Sequence, residues 1–176
     1  MAADYEWFSA TRITGLTADA AALFMCGARW RVCRRSDKAR RVFAWLAGVQ
    51  LFLLLDMAFD WRWDLHGLVM RGAAALGVYG ERRLPQAIVL VMLCFIFGRL
   101  MASIWRRCGR RTGVAVAMTG TLLSVGTWFC ELISFHYTDA VLLHKIGSVL
   151  VVALLWIGFA AVTCCGVWID GRSRVL

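Results

Sequence analysis

Four long apolar runs dominate the sequence, at 42–59, 85–105, 113–135 and 146–168. Each approaches or exceeds the length of about twenty residues that a helix needs to cross the hydrocarbon core of a bilayer. Such a segment must satisfy its backbone hydrogen bonds internally, which favours a helix. Because 61% of the residues are hydrophobic and only 18% are charged, the chain fits neither a disordered protein nor an ordinary soluble domain. The sequence predicts an all-α integral membrane bundle of four transmembrane helices, forming one domain over 1–176.

A fifth segment, 13–30, is also apolar, but Asp19 lies within it and threonine and glycine dilute it. Two interpretations stay open. The segment crosses the membrane as a fifth span, or it lies at the interface as an amphipathic helix. The chain opens with the acidic residues Asp4 and Glu6, whereas a cleavable signal peptide has a basic start. We therefore expect the N-terminal segment to be retained.

Basic residues cluster on one side of the predicted bundle. Loops that face the cytoplasm carry an excess of Lys and Arg, so the clusters indicate orientation rather than a nucleic-acid partner. We expect a multi-pass protein of the inner (plasma) membrane with a cytoplasmic C-terminus. Its expected partners are the lipid bilayer and other membrane subunits or a second copy. The basic side holds Arg29, Arg31, Arg34, Arg35, Lys38, Arg40, Arg41, Arg106, Arg107, Arg110, Arg111, Arg172 and Arg174, and the opposite side holds Arg62, Arg71, Arg82, Arg83 and Lys145.

The longest loop, 60–84, lies on the less basic side and carries apolar residues at helical spacing. We predict a short amphipathic helix there, lying on the outer surface. Gly77 and Gly80 then interrupt the chain before Pro85, which suits the first turn of the next helix. The apolar positions are Leu65, Leu68, Val69, Gly72 and Leu76.

Small and polar residues recur at steps of four and three along 113–135. This pattern predicts a seam where neighbouring helices pack closely. Glu131 is the exception, because a carboxylate on the packed face of a span is costly unless it is paired, protonated or hydrated. It is therefore a functional candidate. The seam comprises Gly113, Ala117, Gly120, Ser124, Thr127, Glu131, Ser134 and Thr138.

Asp56 lies at a depth similar to that of Glu131, and we expect the two acids to share one site. Asp60 and Asp64 follow Asp56 at four-residue steps, so a continuous helix would carry three carboxylates in one stripe. Arg82 or Arg83 is expected to neutralise Glu131. The candidate polar cluster comprises Asp56, Asp60, Glu131, His136 and Arg83.

All three histidines, His66, His136 and His144, fall near the same predicted boundary. Imidazole and carboxylate ligands suit zinc, iron or manganese, so a metal site would combine these histidines with Glu131. A b-type haem would need His66 and His136 to face each other. A proton path would begin at Asp56 and Glu131, but nothing polar continues from them toward the opposite face. No HxxxH or ExxH spacing supports a metal, and the first expectation is no cofactor.

Sequence motifs of common enzymes do not occur in the chain, which has no phosphate-binding glycine loop, no GxSxG and no HExxH. The leading interpretation is a non-enzymatic accessory or interaction subunit. The alternative is a small membrane protein that binds a metal, a haem or a proton-coupled ligand through the Asp/Glu/His cluster at the outer face.

Two segments, GVYGERRLPQ and ELISFHYTD, resemble patterns in small, uncharacterised multi-pass bacterial inner-membrane proteins. The resemblance would extend over much of the chain. It implies a multi-pass membrane protein and carries no activity with it.

Overall fold

The chain forms a helical bundle in the computed structural model. Residues 10–34, 37–75, 77, 83–108, 111–147 and 149–173 are described, with backbone alone for Ala73 and His136. Several residues of the sequence analysis lie outside the described part of the chain, namely Asp4, Glu6, Arg35, Leu76, Gly80, Arg82, Arg110 and Arg174.

Seven helices and one short hairpin make up the described ranges. Four helices are long and apolar enough to cross a membrane: α2 (Lys38–Phe59), α4 (Arg83–Arg107), α5 (Thr112–Ile133) and α7 (Val151–Arg172). The prediction of an all-α bundle with four apolar spans is confirmed. The other elements are α1 (Ala10–Val32), α3 (Trp61–Ala75), α6 (His136–Leu142), β1 (Lys145–Ile146) and β2 (Val149–Leu150).

The third and fourth predicted spans have different limits in the structure. Ser134 takes a left-handed φ of 49°, so α5 ends at Ile133 rather than at residue 135. The fourth apolar run begins with an antiparallel hairpin, in which Ile146 pairs with Val149 across Gly147, whose φ is 65°. A left-handed turn is incompatible with a continuous helix, and α7 therefore begins only after the hairpin.

α1 extends along the whole length of α7. Near its start, the Thr11 hydroxyl accepts a hydrogen bond from the Leu150 N–H at 3.2 Å, next to the first residue of α7. Near its end, Arg29 pairs with Asp170 at 2.7 Å, close to the last residue of α7. With 23 residues, α1 is about 35 Å long, somewhat more than the thickness of a hydrocarbon core of about 30 Å. We call the two ends of the bundle the Asp60 end, where α2 stops and α7 starts, and the Asp170 end.

α5 and α7 make the most extensive helix contact in the bundle. Glycine allows their backbones to meet, since a Cβ built on Gly166 would overlap the backbone N of Ala117, and one on Gly120 would lie 2.7 Å from the Phe159 carbonyl oxygen. The small-residue seam predicted along α5 is confirmed, because its members from Gly113 to Glu131 are buried.

α3 and α4 lie at the periphery of the bundle. α3 is the short helix predicted within 60–84, and its Leu65, Leu68 and Val69 are exposed. α4 packs mainly against α5, and none of its 25 residues is buried. α1, α2, α5 and α7 thus form the core, with α4 attached to one side.

Candidate functional site

The connection between α2 and α3 directs a charged side chain into the core. Asp60 has a left-handed φ of 58° and ends α2, with its N–H bonded to the Asp56 carbonyl. The chain turns at Asp60 and α3 starts at once, so the Arg62 N–H donates to Asp56 Oδ1 at 2.9 Å. The condition for a stripe of Asp56, Asp60 and Asp64, a continuous helix, is not met, because α2 stops at Phe59.

Arg62 forms the centre of a buried ionic cluster, which we define as Asp19, Asp56, Arg62, Glu131 and Trp156. Its Nη1 donates to Glu131 Oε2 at 2.5 Å. Its Nε lies 3.0 Å from Asp56 Oδ2, in an ion pair whose atoms are not aligned for a hydrogen bond. The guanidinium also lies 5.4 Å from the centre of the Trp156 ring. Arg62 is only 3% exposed, so water contributes little to its solvation.

Glu131 has a partner for each carboxylate oxygen. While Oε2 accepts from Arg62, Oε1 accepts from Trp156 Nε1 at 3.1 Å. Since Arg62 belongs to α3, Glu131 to α5 and Trp156 to α7, these bonds join three helices. The expected neutralising cation was Arg82 or Arg83, but the structure places Arg62 there and leaves Arg83 exposed at the start of α4.

Asp19 of α1 completes the ionic cluster. It is 6% exposed, and no side chain in the described ranges donates a hydrogen bond to it. It lines a small cavity of about 10 Å³, roughly the space of one water molecule. The Trp128 side chain lines the same cavity, and its buried Nε1 has no hydrogen-bond acceptor among the described residues. Asp56 and Arg62 border the same cavity. The Trp128 N–H and the Asp19 carboxylate thus meet there without a hydrogen bond from the described side chains.

Polar side chains continue from the ionic cluster toward the Asp170 end, farther than the sequence indicated. Gln50 Nε2 donates to Thr121 Oγ1 at 3.1 Å, and Thr121 Oγ1 lies 3.4 Å from Thr163 Oγ1. All three residues are buried. Beyond them the core is apolar and includes Phe43, Leu46, Val114, Ala117 and Val167. The polar column therefore ends inside the bundle.

The remaining predicted site residues lie around the Asp60 end. Asp60 pairs with Arg12 at 2.9 Å, and Arg12 also donates to the Ala58 carbonyl. His66 Nδ1 lies 3.0 Å from the Leu132 carbonyl oxygen, which connects α3 to α5. The structure thus brings Asp56 and Glu131 together in the ionic cluster and places Asp60 in a separate ion pair.

The described residues give no geometric support for the predicted metal site. They contain no group of three or more His, Cys, Asp and Glu side chains placed to hold a metal ion. His144 is exposed after α6, and the nitrogen Nδ1 of His66 contacts a backbone oxygen. His136 begins α6, and its side chain lies outside the described atoms.

Sequence reasoning missed three members of the ionic cluster. Arg62 was assigned to a loop, Trp156 was not singled out, and Asp19 was used as evidence against a span. The signal was present for Asp19, because an ionisable residue within an apolar helix is a site candidate by default. Comparison with protein-family models, curated proteins and solved structures finds no match to this chain.

Proposed function

We propose that the protein is a non-enzymatic, multi-pass subunit of the inner (plasma) membrane that binds another membrane protein through α4. In this proposal the Asp170 end and the C-terminus face the cytoplasm. The described basic residues support this orientation, because Arg29 joins the end of α1 to Asp170 and Arg111 joins the start of α5 to Asp37. The basic clusters therefore meet at one end of the bundle, as expected for the cytoplasmic side.

α1 is the fifth span in this proposal. It matches the length of α7, and its buried face carries polar groups that are paired at both ends, Arg12 with Asp60 and Arg29 with Asp170. An interfacial helix would lie across the ends of the spans, whereas α1 contacts α2 and α7 along their sides.

The outward face of α4 is the proposed contact surface. Ile88, Met92, Phe95 and Arg99 succeed one another at steps of four, three and four residues, and all four are exposed. At helical spacing they lie on the face opposite the residues that pack on α5. Three of the four are large apolar side chains, which is the composition of a helix-packing surface or a lipid-facing one.

Arg99 is the observation that carries the proposal. In the described ranges no carboxylate pairs with it, and it lies eight residues, about 12 Å, from the end of α4 at Arg107. A guanidinium at that depth is costly in lipid unless it is paired or reaches the interface. Of these two alternatives we propose pairing, with a partner transmembrane helix that places an Asp or Glu opposite Arg99.

A photo-crosslinking amino acid at Phe95 tests this proposal in native membranes. We expect one adduct of discrete mass to a second membrane protein, with an Asp or Glu within one helical turn of the crosslinked residue. Arg99→Leu should abolish the adduct, whereas Arg99→Lys should retain it. Arg106→Gln is the matched control, since Arg106 lies on the same face at the end of the helix, and it should leave the adduct unchanged. Adducts to lipid alone, or an adduct that persists in Arg99→Leu, would contradict the proposal.

Proton binding by the ionic cluster is a second candidate function, favoured by the cavity beside Asp19. Three buried carboxylates, Asp19, Asp56 and Glu131, surround one guanidinium, so full ionisation would leave two negative charges without a cation. A buried charge of that kind is costly in a low-dielectric core. We infer that the ionic cluster takes up a proton on the Asp19 side, where no side chain in the described ranges donates to the carboxylate.

Infrared difference spectroscopy tests for that proton through the carbonyl stretch of a protonated carboxyl group. The band should vanish in Asp19→Asn and persist in Asp64→Asn, because Asp64 is exposed on α3. A spectrum without the band in the parent protein, or a band that Asp19→Asn leaves intact, would refute this function without affecting the α4 proposal.

A further inference from the structure

An apolar cleft of about 680 Å³ separates α4 from α7, with α5 between them. We call it the α4 cleft. Its walls include Ala87 and Phe97 of α4, Phe129 of α5 and Phe159 of α7. The volume falls within the range of about 300–1,000 Å³ that is usual for sites that bind small molecules. It lies on the side of α4 away from the Arg99 face, so it is separate from the proposed partner contact.

The lining of the α4 cleft suits hydrocarbon. The two threonines that border it are satisfied by nearby backbone, since Thr127 Oγ1 donates to the Leu123 carbonyl at 3.1 Å and Thr138 Oγ1 donates to the Phe135 carbonyl at 2.8 Å. Neither hydroxyl therefore requires a hydrogen bond from a ligand. A bound molecule would meet aliphatic side chains and aromatic rings, whose burial is favourable roughly in proportion to the apolar area covered.

The length of the α4 cleft along the helix axis distinguishes between possible occupants. From Ala87 to Phe97 it extends along ten residues, about 15 Å, which is half of a hydrocarbon core of about 30 Å. Val141 and Leu142 of α6 border it at the Asp60 end. A partner transmembrane helix crosses both leaflets and would run into α6, whereas an acyl chain needs only one leaflet.

We propose that the α4 cleft binds an acyl chain of a membrane phospholipid. The chain enters from the side, between α4 and α7, and its terminal methyl group points toward the middle of the bilayer. The acyl chain provides packing contacts that α4 does not receive from the bundle, because no residue of α4 is buried there.

Phosphatidylcholine with a photoreactive group on one acyl chain tests this site in nanodiscs that hold the purified full chain. Mass spectrometry should place the crosslinks on residues that line the α4 cleft. Cys94 borders the cleft and Met92 lies on the outward face of the same helix. Cys94→Trp should lower the yield about tenfold, the loss expected when about two methylene groups no longer fit. Met92→Trp is the matched control and should leave the yield unchanged.

Leu155→Trp fills the α4 cleft from the opposite wall, and it replaces Cys94→Trp if that variant elutes as an aggregate. Crosslinks spread evenly over all faces of α4, or an unchanged yield in both cleft-filling variants, would overturn the proposal. Arg99→Leu should not alter lipid crosslinking. A failure of the partner proposal and a failure of the lipid proposal are therefore distinguishable.

Discussion

Replacing Arg62 with methionine removes the only guanidinium of the ionic cluster while keeping a long unbranched side chain. Arg62 is 3% exposed and holds Asp56 and Glu131, which are 1% and 7% exposed. Both carboxylates would remain in the core without their cation. Removing one partner of a buried ion pair costs about 3–5 kcal/mol, so we expect Arg62→Met to lower the free energy of unfolding by that amount.

A triple variant tests whether the loss arises from uncompensated charge. Asp56→Asn, Arg62→Met and Glu131→Gln together remove the ion pairs without leaving their charges behind. Neutral amides cost far less to bury than unpaired charges, so the triple variant should regain most of the stability lost in Arg62→Met. The measurement is equilibrium unfolding in mixed micelles of mild detergent and sodium dodecyl sulfate, followed by tryptophan fluorescence.

Arg71→Met is the matched control, because Arg71 lies on the same helix and is exposed. It should change the free energy of unfolding by no more than about 0.5 kcal/mol. The reasoning is refuted if the free energy of unfolding of Arg62→Met lies within about 1 kcal/mol of the parent value. Such a loss is well below the cost of breaking a buried ion pair. The reasoning is refuted equally if the triple variant is no more stable than the single one.

Three further predictions concern packing, topology and metal content. Gly166→Ala should destabilise the bundle by about 1–3 kcal/mol, because its Cβ would overlap Ala117; Gly158→Ala, with no atom within 4 Å of its Cβ, should not destabilise it. In a variant without native cysteines, Ala10→Cys should react with a membrane-impermeant maleimide in intact cells and Ser173→Cys only after lysis; protection of Ala10→Cys would exclude α1 as a span. Elemental analysis of protein purified in mild detergent should find no stoichiometric metal. A stoichiometric metal would contradict this prediction, and His136 would then be the first candidate ligand to mutate.

The helical architecture was predictable from the sequence because it depends on local composition. Long apolar runs specify spanning helices wherever they occur, and the seam from Gly113 to Glu131 was visible as a repeat of small residues. The ends of the helices were less predictable where apolar residues form a hairpin instead of a helix. The hairpin of Ile146 and Val149 is as apolar as the helix that follows it, so hydropathy alone placed it in the span.

The ionic cluster depended on tertiary structure. By itself the sequence determined that Glu131 and Asp56 would be costly charges at similar depth, and so that they needed a partner. The sequence did not determine which cation would be that partner. That choice was made by the left-handed residue Asp60, which stops α2 and turns Arg62 back onto Asp56. The packing of α1 and α7 is non-local, and only its combination with the turn at Asp60 brings Asp19 and Arg62 into one buried site.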